Sequence, residues 1–441
     1  MGDDRPRSLA VRVPRALLEP GPFAGGAALP AGDAEGLLAV ELHLAGGRIT
    51  ALRPLGPDHP RAADLPLALP PLVEPHAHLD KAFSWQRFPS TAGTMAAALA
   101  ANRQEAESRN HAGVLERGER ALQQAWRYGL RAIRTHIDSG GPQEQPSWEA
   151  LLELRRAWSE RVSLQLVALV PLAHWATAEG EALARRVAAA GGLLGGVLGP
   201  PFAEGYRHGD QLRRLLELAD QHGCGIDLHV DEADADPGRG LRRLLRELKR
   251  TPVAVPITCS HCSSLALLPE PAQRRLAAGL AARGVAVVAL PTTNLWLLGR
   301  RRDHSSALRP IAPLRLLQRE GVTTAIGGDN VQDPWYPAGD FDPIELLRLS
   351  LPALQLAPWW RQGLMPFSTA AARLMGLPWD GVLRPGAPAD LVVLAASGWS
   401  DLLARSPQRR VLRAGRWLAP PPAQQPDQRL ASLGADPSSG D

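Results

Sequence analysis

The run Glu74-Pro75-His76-Ala77-His78-Leu79-Asp80 sets two imidazoles two residues apart. Successive side chains on an extended strand alternate faces, so His76 and His78 point the same way and pre-orient two nitrogen lone pairs toward one divalent ion. A lone His-x-His is weak evidence. Four further runs strengthen it: His136-Ile137-Asp138, His229-Val230-Asp231-Glu232, Ser260-His261 and Gly327-Gly328-Asp329-Asn330. Each closes a β-branched or Leu-rich segment. The chain has 12 histidines, and His76, His78, His136, His229 and His261 all fall at such segment ends, so five unrelated structural explanations would have to coincide.

The residue types suggest roles. His76, His78, His229 and Asp329 offer three nitrogens and a carboxylate, a suitable set for one Zn2+ or Fe2+ that leaves a position for water. Such a metal lowers the pKa of that water toward ~7 and makes hydroxide available as a nucleophile. Asp329 can take the water's proton, and Glu232 can protonate a ring nitrogen and then a departing amine. His261, neutral beside a cation, can orient the hydroxide or a tetrahedral intermediate.

Elements with a fixed geometry must hold these groups. Between about residues 66 and 380, short apolar runs alternate with long amphipathic Ala/Leu/Arg-rich stretches, the pattern of βα units around a parallel sheet. Eight strands are expected at Leu72–His76, Leu130–Ile137, Val162–Val170, Leu193–Leu198, Gly225–Val230, Val253–Ser260, Val285–Leu290 and Thr323–Gly327. Helices are expected between them, for example at Trp148–Arg161, Gly209–Gly223 and Pro271–Gly284. This is an α/β chain of the size of a (β/α)8 TIM barrel, whose catalytic residues gather at the C-terminal strand ends. Residues 1–65 hold further strand-like pieces at Leu9–Val13, Leu38–Leu44 and Ile49–Leu52, with Gly46-Gly47 as a hairpin signal. With the strand Leu391–Leu394, they predict a small β-sandwich module built from residues 1–65 and 381–419, interrupted by a barrel at 66–380. Residues 420–441, rich in Pro, Gln, Ser and Asp, are expected to be a disordered tail.

Composition bounds the alternatives. Hydrophobic residues make up 45% and charged residues 21% of the 441, the balance of a globular enzyme rather than of a disordered chain. No apolar run nears the ~20 residues of a membrane span. Met1-Gly2-Asp3-Asp4-Arg5 is polar, with no apolar stretch behind it, which argues against a secretory signal. Three cysteines, Cys224, Cys259 and Cys262, do not make a disulfide framework. A cytoplasmic location is the expectation. The net charge of +4 and pI near 9.3 invite a nucleic-acid reading. However, charges of both signs mix along helical stretches such as Leu212-Arg213-Arg214-Leu215-Leu216-Glu217-Leu218, the mark of a solvated face. Neither nucleic acid nor membrane is expected as a partner.

With these runs in view, the chain resembles the amidohydrolase superfamily, and within it the cytosine deaminase-like branch. The motifs are Glu74-Pro75-His76-Ala77-His78-Leu79-Asp80, Arg134-Thr135-His136-Ile137-Asp138, His229-Val230-Asp231-Glu232, Ser260-His261 and Gly328-Asp329-Asn330-Val331-Gln332-Asp333-Pro334-Trp335-Tyr336-Pro337. They stand in family order from end to end of the barrel. The resemblance implies metal binding by His76, His78, His229 and Asp329, proton shuttling by Glu232, action of His261 on the attacked water, and packing of Trp335 on a flat heterocycle. Many superfamily members bridge two metals with a carboxylated lysine on the fourth strand. Residues 192–200 hold no lysine, so a single metal is implied.

Departures from the branch bear on the substrate. Where cytosine-acting members carry Phe-Pro-Gln after the third strand, this chain has Val170-Pro171-Leu172, and Asn330 stands where they carry a second aspartate. Loss of a bidentate amide weakens recognition of a polar ring edge. Relatives with Leu-Asp-Lys after the histidine pair, as in Leu79-Asp80-Lys81, include hydrolases that remove alkylamines from triazines. The expected substrate is therefore a small pyrimidine- or triazine-like heterocycle, more apolar or N-substituted than cytosine. Leu172, Asn330, Trp335, His136 and Lys81 are the expected substrate-side residues, with Lys81 meeting either substrate or Asp80. Relatives often assemble, so a homo-oligomer is left open. Two other readings remain: opening of a cyclic amide by the same chemistry, or a basic binding protein without catalysis.

Other signals are set aside. Cys259-Ser260-His261-Cys262 has CxxC spacing without a second pair and reads as buried thiols. Gly191-Gly192 and Gly195-Gly196 read as turn glycines beside the fourth strand, and Trp359-Trp360 as core or interface residues in a helical region.

Overall fold

The computed structural model describes residues 7–19, 29–56, 62–202, 207–301, 303, 305, 307–404 and 407–419. The tail expected at 420–441 lies outside the described residues.

The chain starts with the antiparallel strands β1 (Ser8–Pro14), β2 (Leu37–Ala45) and β3 (Arg48–Pro54). Gly46 and Gly47 both have positive φ, +57° and +76°, as a two-residue hairpin turn requires. β4 (Leu67–Leu69) follows and pairs parallel to β1. After the barrel come β13 (Leu391–Leu394), β14 (Arg409–Arg413) and β15 (Arg416–Trp417). The seven form one sheet in the order β15-β14-β13-β4-β1-β2-β3. The segment before β13 returns to the far edge, where Ile49 N–H donates to Ala387 O (2.9 Å) and Ala389 N–H to Gly47 O (2.9 Å). The sheet thus folds back around its own core of Val13, Val40, Leu42, Ile49, Leu391 and Leu412. One boundary is corrected: β4 belongs to this module by its pairing with β1 and β13, not to a barrel beginning at residue 66.

The barrel strands are β5 (Leu72–Ala77), β6 (Leu130–Asp138), β7 (Ser163–Leu169), β8 (Leu193–Leu198), β9 (Ile226–Val230), β10 (Ile257–His261), β11 (Ala286–Ala289) and β12 (Thr324–Ile326). They pair in parallel, each with the next. The (β/α)8 architecture follows from helices packed outside. In His111–Tyr128, the buried Val114, Ala121, Leu122 and Ala125 recur at helical spacing, and left-handed Gly129 (φ +93°) ends the helix. β10 starts at Ile257 rather than Val253 because Pro252 and Pro256 lack the N–H a ladder uses. Gly195 and Gly196 are not turn residues. They lie inside β8, where a Cβ on Gly195 would come within 2.7 Å of Ala168 O and 2.9 Å of Asp227 O. Trp359 and Trp360 lie in a turn, 42% and 60% exposed, rather than in a helix or the core. No helix among the described residues is long and apolar enough to cross a membrane.

Alternation sorts the barrel interior into layers. Ala132, Arg134 and His136 share one face of β6. Ala132 packs with Val73, Val288, Ala325 and Met375 at the bottom. Above them Arg134 meets Asp227 and Thr258, and above these stand the histidines.

The ring closes between β12 and β5. Asp329 N–H donates to His76 O (2.9 Å), and Ala77 bridges to Asp329. Glu74 clasps this seam: its carboxylate accepts from His76 N–H (3.0 Å) and Gly328 N–H (2.9 Å). The approach needs glycine, since a Cβ on Gly327 would lie 2.8 Å from Glu74 Oε1 and 3.1 Å from His76 Cβ. Gly327→Ala is expected to lower stability by about 1–3 kcal/mol through overpacking. Urea unfolding measures it, and an unchanged midpoint would mean that the clasp is not held rigidly.

Candidate active site

Five imidazoles meet at the C-terminal mouth. His76 stacks on His136, with centroids 3.8 Å apart, and lies 5.3 Å from His78, 4.7 Å from His229 and 5.7 Å from His261. Asp329 Oδ1 is 3.5 Å from His76 Nε2 and 3.3 Å from His78 Nε2. The structure therefore brings together the residues that the motif spacing singled out. Their candidate ligand atoms fall into three overlapping triads: His76 with His229 and His261, His76 with His78 and His136, and Glu232 with His261 and Asp329.

Strict alternation does not place all of them. Ser260 faces the interior, where its Oγ meets His76 and Asp227. The next residue should face outward, yet His261 also reaches the mouth because its φ is +67°. Asp329 (φ +62°) and Asp231 (φ +52°) share the left-handed conformation at the ends of β12 and β9. Such backbone costs a non-glycine residue of order 1–3 kcal/mol and concentrates at functional sites. Asp231, not singled out by its sequence, anchors the loop carrying Glu232 by accepting Gly240 N–H (2.7 Å) and Leu241 N–H (3.0 Å).

Burial shapes the protonation states. It pushes the pKa values of His76 and His229 well below the usual 6.5, reinforced by neighbouring imidazoles. Burial likewise brings His261 down to about 4, with Asp329 pulling the other way. These rings are neutral at pH 7, as metal ligation requires. Glu232 goes the opposite way: burial, then Asp329, raises it well above the carboxylate range, so it holds a proton. Its Oε1 lies 3.5 Å from His261 Nδ1. Asn294 Nδ2 also approaches that nitrogen, at 3.1 Å. An amide NH2 only donates, so Nδ1 accepts and Nε2 carries the hydrogen.

The donor set fits a divalent ion. His76 Nε2, His78 Nδ1, His229 Nδ1 and both Asp329 oxygens are buried without a hydrogen-bond partner among the described residues. Imidazole nitrogens with one carboxylate suit Zn2+ or Fe2+.

The expected substrate-side residues separate. Leu172 is a correction. A Cβ on Gly196 would meet Leu172 Cδ2 at 2.8 Å and Leu228 Cδ2 at 3.5 Å. Leu228 alternates with Asp227 and His229, so Leu172 lies in the helix-side core and not in the mouth. Val197, which the motifs did not mark, pairs in register with His229 and is 47% exposed. His136 is fully buried beneath His76, 3.4 Å from Asp227. Asn330 donates its amide to Asp333 Oδ2 (2.7 Å), and Asp333 Oδ1 accepts from Trp335 and Tyr336 N–H. This fixes the turn presenting Trp335, which packs half-buried against Ala98, Leu297 and Leu298. Lys81 pairs with Asp138 (2.7 Å) rather than Asp80, and is 2% exposed. Burial lowers its pKa, but Asp138 and Asp80 outweigh this and raise it. Arg109 joins Asp138 to Asp80 and Glu105.

Known proteins resemble this chain in sequence and in fold. The sequence profile described as the amidohydrolase family matches residues 115–417. A pterin deaminase from Rhizobium rhizogenes is 35% identical over 393 residues, covering 87% of this chain and 89% of the relative. The N-isopropylammelide isopropyl amidohydrolase of a Pseudomonas species is 23% identical over 335 residues, 74% of this chain and 79% of that protein. Among solved structures, 5-methylcytosine deaminase from Klebsiella pneumoniae, liganded with 5-fluorocytosine, superposes with a TM-score of 0.77 at 22% identity. It covers 95% of this chain and 99% of its own, and shares the fold.

Lys81→Met is expected to cost about 2–4 kcal/mol, because it leaves Asp138 with one fewer cation in a buried cluster. Urea unfolding at two ionic strengths tests this; unchanged stability would mean that Lys81 is not bound within the cluster.

Proposed function

The chain belongs to the amidohydrolase family, and on that premise we propose that it hydrolyses the bond between a ring carbon and an exocyclic nitrogen of a small heterocycle, releasing ammonia or an alkylamine. The observation carrying this reading is the convergence of Glu232, His261 and Asp329 beside His76, His78 and His229, whose candidate ligand atoms lack partners among the described residues. His76, His78, His229 and Asp329 would hold one Zn2+ or Fe2+. When bound, such an ion would acidify water toward a pKa of ~7.

The protein's own groups supply the rest. His261, presenting Nε2–H to the mouth, orients the attacking oxygen. Asp329 accepts the proton that this oxygen loses. Glu232 gives its proton to a ring nitrogen as the tetrahedral carbon forms, then relays a proton to the leaving nitrogen. Trp335 offers a flat face to the ring, and the half-exposed Val197 gives the mouth an apolar wall where a polar amide is absent.

Within this class we rank a fused pteridine first. The similarity to the pterin deaminase supports it. Release of ammonia from pterin and cytosine, and of alkylamine from an N-alkylated triazine, is measured for metal-loaded protein. Pterin turnover well above that of cytosine is expected. Efficient turnover of cytosine alone would overturn the ranking, and ring opening without ammonia would overturn the reaction. Glu232→Gln is expected to lower kcat about 10²–10⁴-fold while bound metal, measured by elemental analysis, stays unchanged.

A further inference from the structure

A chain of hydrogen bonds, part-buried at its lower end and buried above, runs from the bottom of the barrel to the mouth. Gln165 Nε2 donates to Met375 O (2.7 Å), and Arg134 Nε donates to Gln165 Oε1 (3.0 Å). Arg134 Nη1 donates to Asp227 Oδ2 (2.8 Å) and to Thr258 Oγ1 (3.2 Å). Ser260 Oγ donates to Asp227 Oδ1 (2.9 Å), and His76 Nδ1 lies 2.8 Å from Ser260 Oγ. Asp227, Ser260 and His76 are each 0% exposed. None of Arg134, Asp227 or Ser260 faces substrate in the reaction above.

The direction of each bond follows from chemistry. A serine hydroxyl has one hydrogen. The Asp227 carboxyl is ion-paired with the Arg134 guanidinium, whose Nη1 lies 2.8 Å from Asp227 Oδ2, so both of its oxygens act as acceptors. Against an ionised carboxylate, which only accepts, the Ser260 hydrogen must point at Asp227. The hydroxyl then shows His76 a lone pair, so His76 Nδ1 must carry the hydrogen. A neutral ring protonated on Nδ1 has its lone pair on Nε2. That atom has no partner among the described residues and lies 3.5 Å from Asp329 Oδ1. Asp227 also reaches His76 by a second route, through His136, whose Nε2 is 3.4 Å from Asp227 Oδ1 and whose ring stacks on His76.

We propose that Asp227, acting through Ser260 and anchored by Arg134, sets the tautomer of His76 and so decides whether its Nε2 can bind a metal ion. This makes Asp227 and Ser260 positioning residues and rests on the reading of His76 as a ligand. The proposal separates the two halves of the barrel interior by task. The lower polar layer selects a protonation state, and the upper layer uses it.

Zinc affinity, measured by competition with a chromophoric chelator, tests the idea in the full chain. Ser260→Ala removes the hydroxyl and is expected to weaken zinc binding about 10–100-fold, the usual effect of losing such an outer partner. Ser260→Thr keeps the hydroxyl and is expected to restore affinity. Asp227→Asn is nearly isosteric but goes further. Its oxygen is claimed by the Arg134 guanidinium, leaving its NH2 against Ser260. The hydroxyl must then donate to His76, which moves the ring hydrogen onto Nε2. A greater affinity loss than in Ser260→Ala is expected.

Imidazole 15N shifts of metal-free protein give a second readout, independent of turnover. His76 is expected as the Nδ1–H form in the natural sequence and as the Nε2–H form in Asp227→Asn. Urea unfolding of each metal-free variant identifies any that fails to fold, in which case Ser260→Ala and the natural-sequence spectrum decide. An Nε2–H form of His76 in the natural sequence, or undiminished zinc affinity in folded Ser260→Ala, overturns the proposal. Undiminished affinity in His76→Ala would instead overturn the reading of His76 as a ligand.

Discussion

Polar atoms that face one another in a dry cavity need a partner. The mouth of this barrel gathers imidazole nitrogens and both oxygens of Asp329 with no hydrogen-bond partner among the described residues. Each such atom costs roughly 1–3 kcal/mol when left without one. The lone pairs of His76 Nε2 and of Asp329 Oδ1, 3.5 Å apart, cannot satisfy each other, because neither atom brings a hydrogen. A divalent cation resolves the conflict in one step by accepting several lone pairs at once. The perturbed groups follow from the same crowding: burial pushes His76 and His229 toward the neutral form and Glu232 toward the protonated one.

The scaffold is arranged around that convergence. The barrel seam is closed by the residues that carry the candidate ligands, since Asp329 N–H bonds His76 O and Glu74 joins Gly328 to the His76 backbone. Relative motion of β5 and β12 would therefore move His76, His78 and Asp329 apart. Left-handed conformations at Asp231, His261 and Asp329 turn their chains where a plain strand would aim them wrongly. Beside the mouth, a charge cluster of Lys81, Asp138, Arg109, Asp80 and Glu105 fixes the loop after β5.

Much of this was legible in the sequence. Short apolar runs between amphipathic stretches placed the barrel strands, and β8 spans Leu193–Leu198 as expected. Period-two spacing put His76 and His78 on one side, and the Gly46-Gly47 pair marked its hairpin. What stayed hidden depends on contacts between distant segments. Lys81 is adjacent to Asp80, so that pairing looked natural. Its partner Asp138 instead arrives from the neighbouring strand. Glu74 reads as an ordinary strand residue until the ring closes on Gly328. Leu172 follows a proline in the place where relatives read a ring edge, yet a short 3-10 helix from Leu172 to Ala176 carries it to the far side of the wall. Trp359 and Trp360 sat in a stretch of helical composition, but the preceding helix ends at Ala353, Gln355 turns left-handed (φ +53°) and Pro358 has no N–H for a helix, which leaves them in a turn.

Anomalous diffraction at the zinc edge, from crystals of zinc-loaded protein, addresses the central claim directly. The account expects one peak at the mouth, with ring nitrogens of His76, His78 and His229 at about 2.0–2.1 Å and an Asp329 oxygen at about 2.0–2.2 Å. A peak held elsewhere, or no peak from protein saturated with zinc, would contradict it.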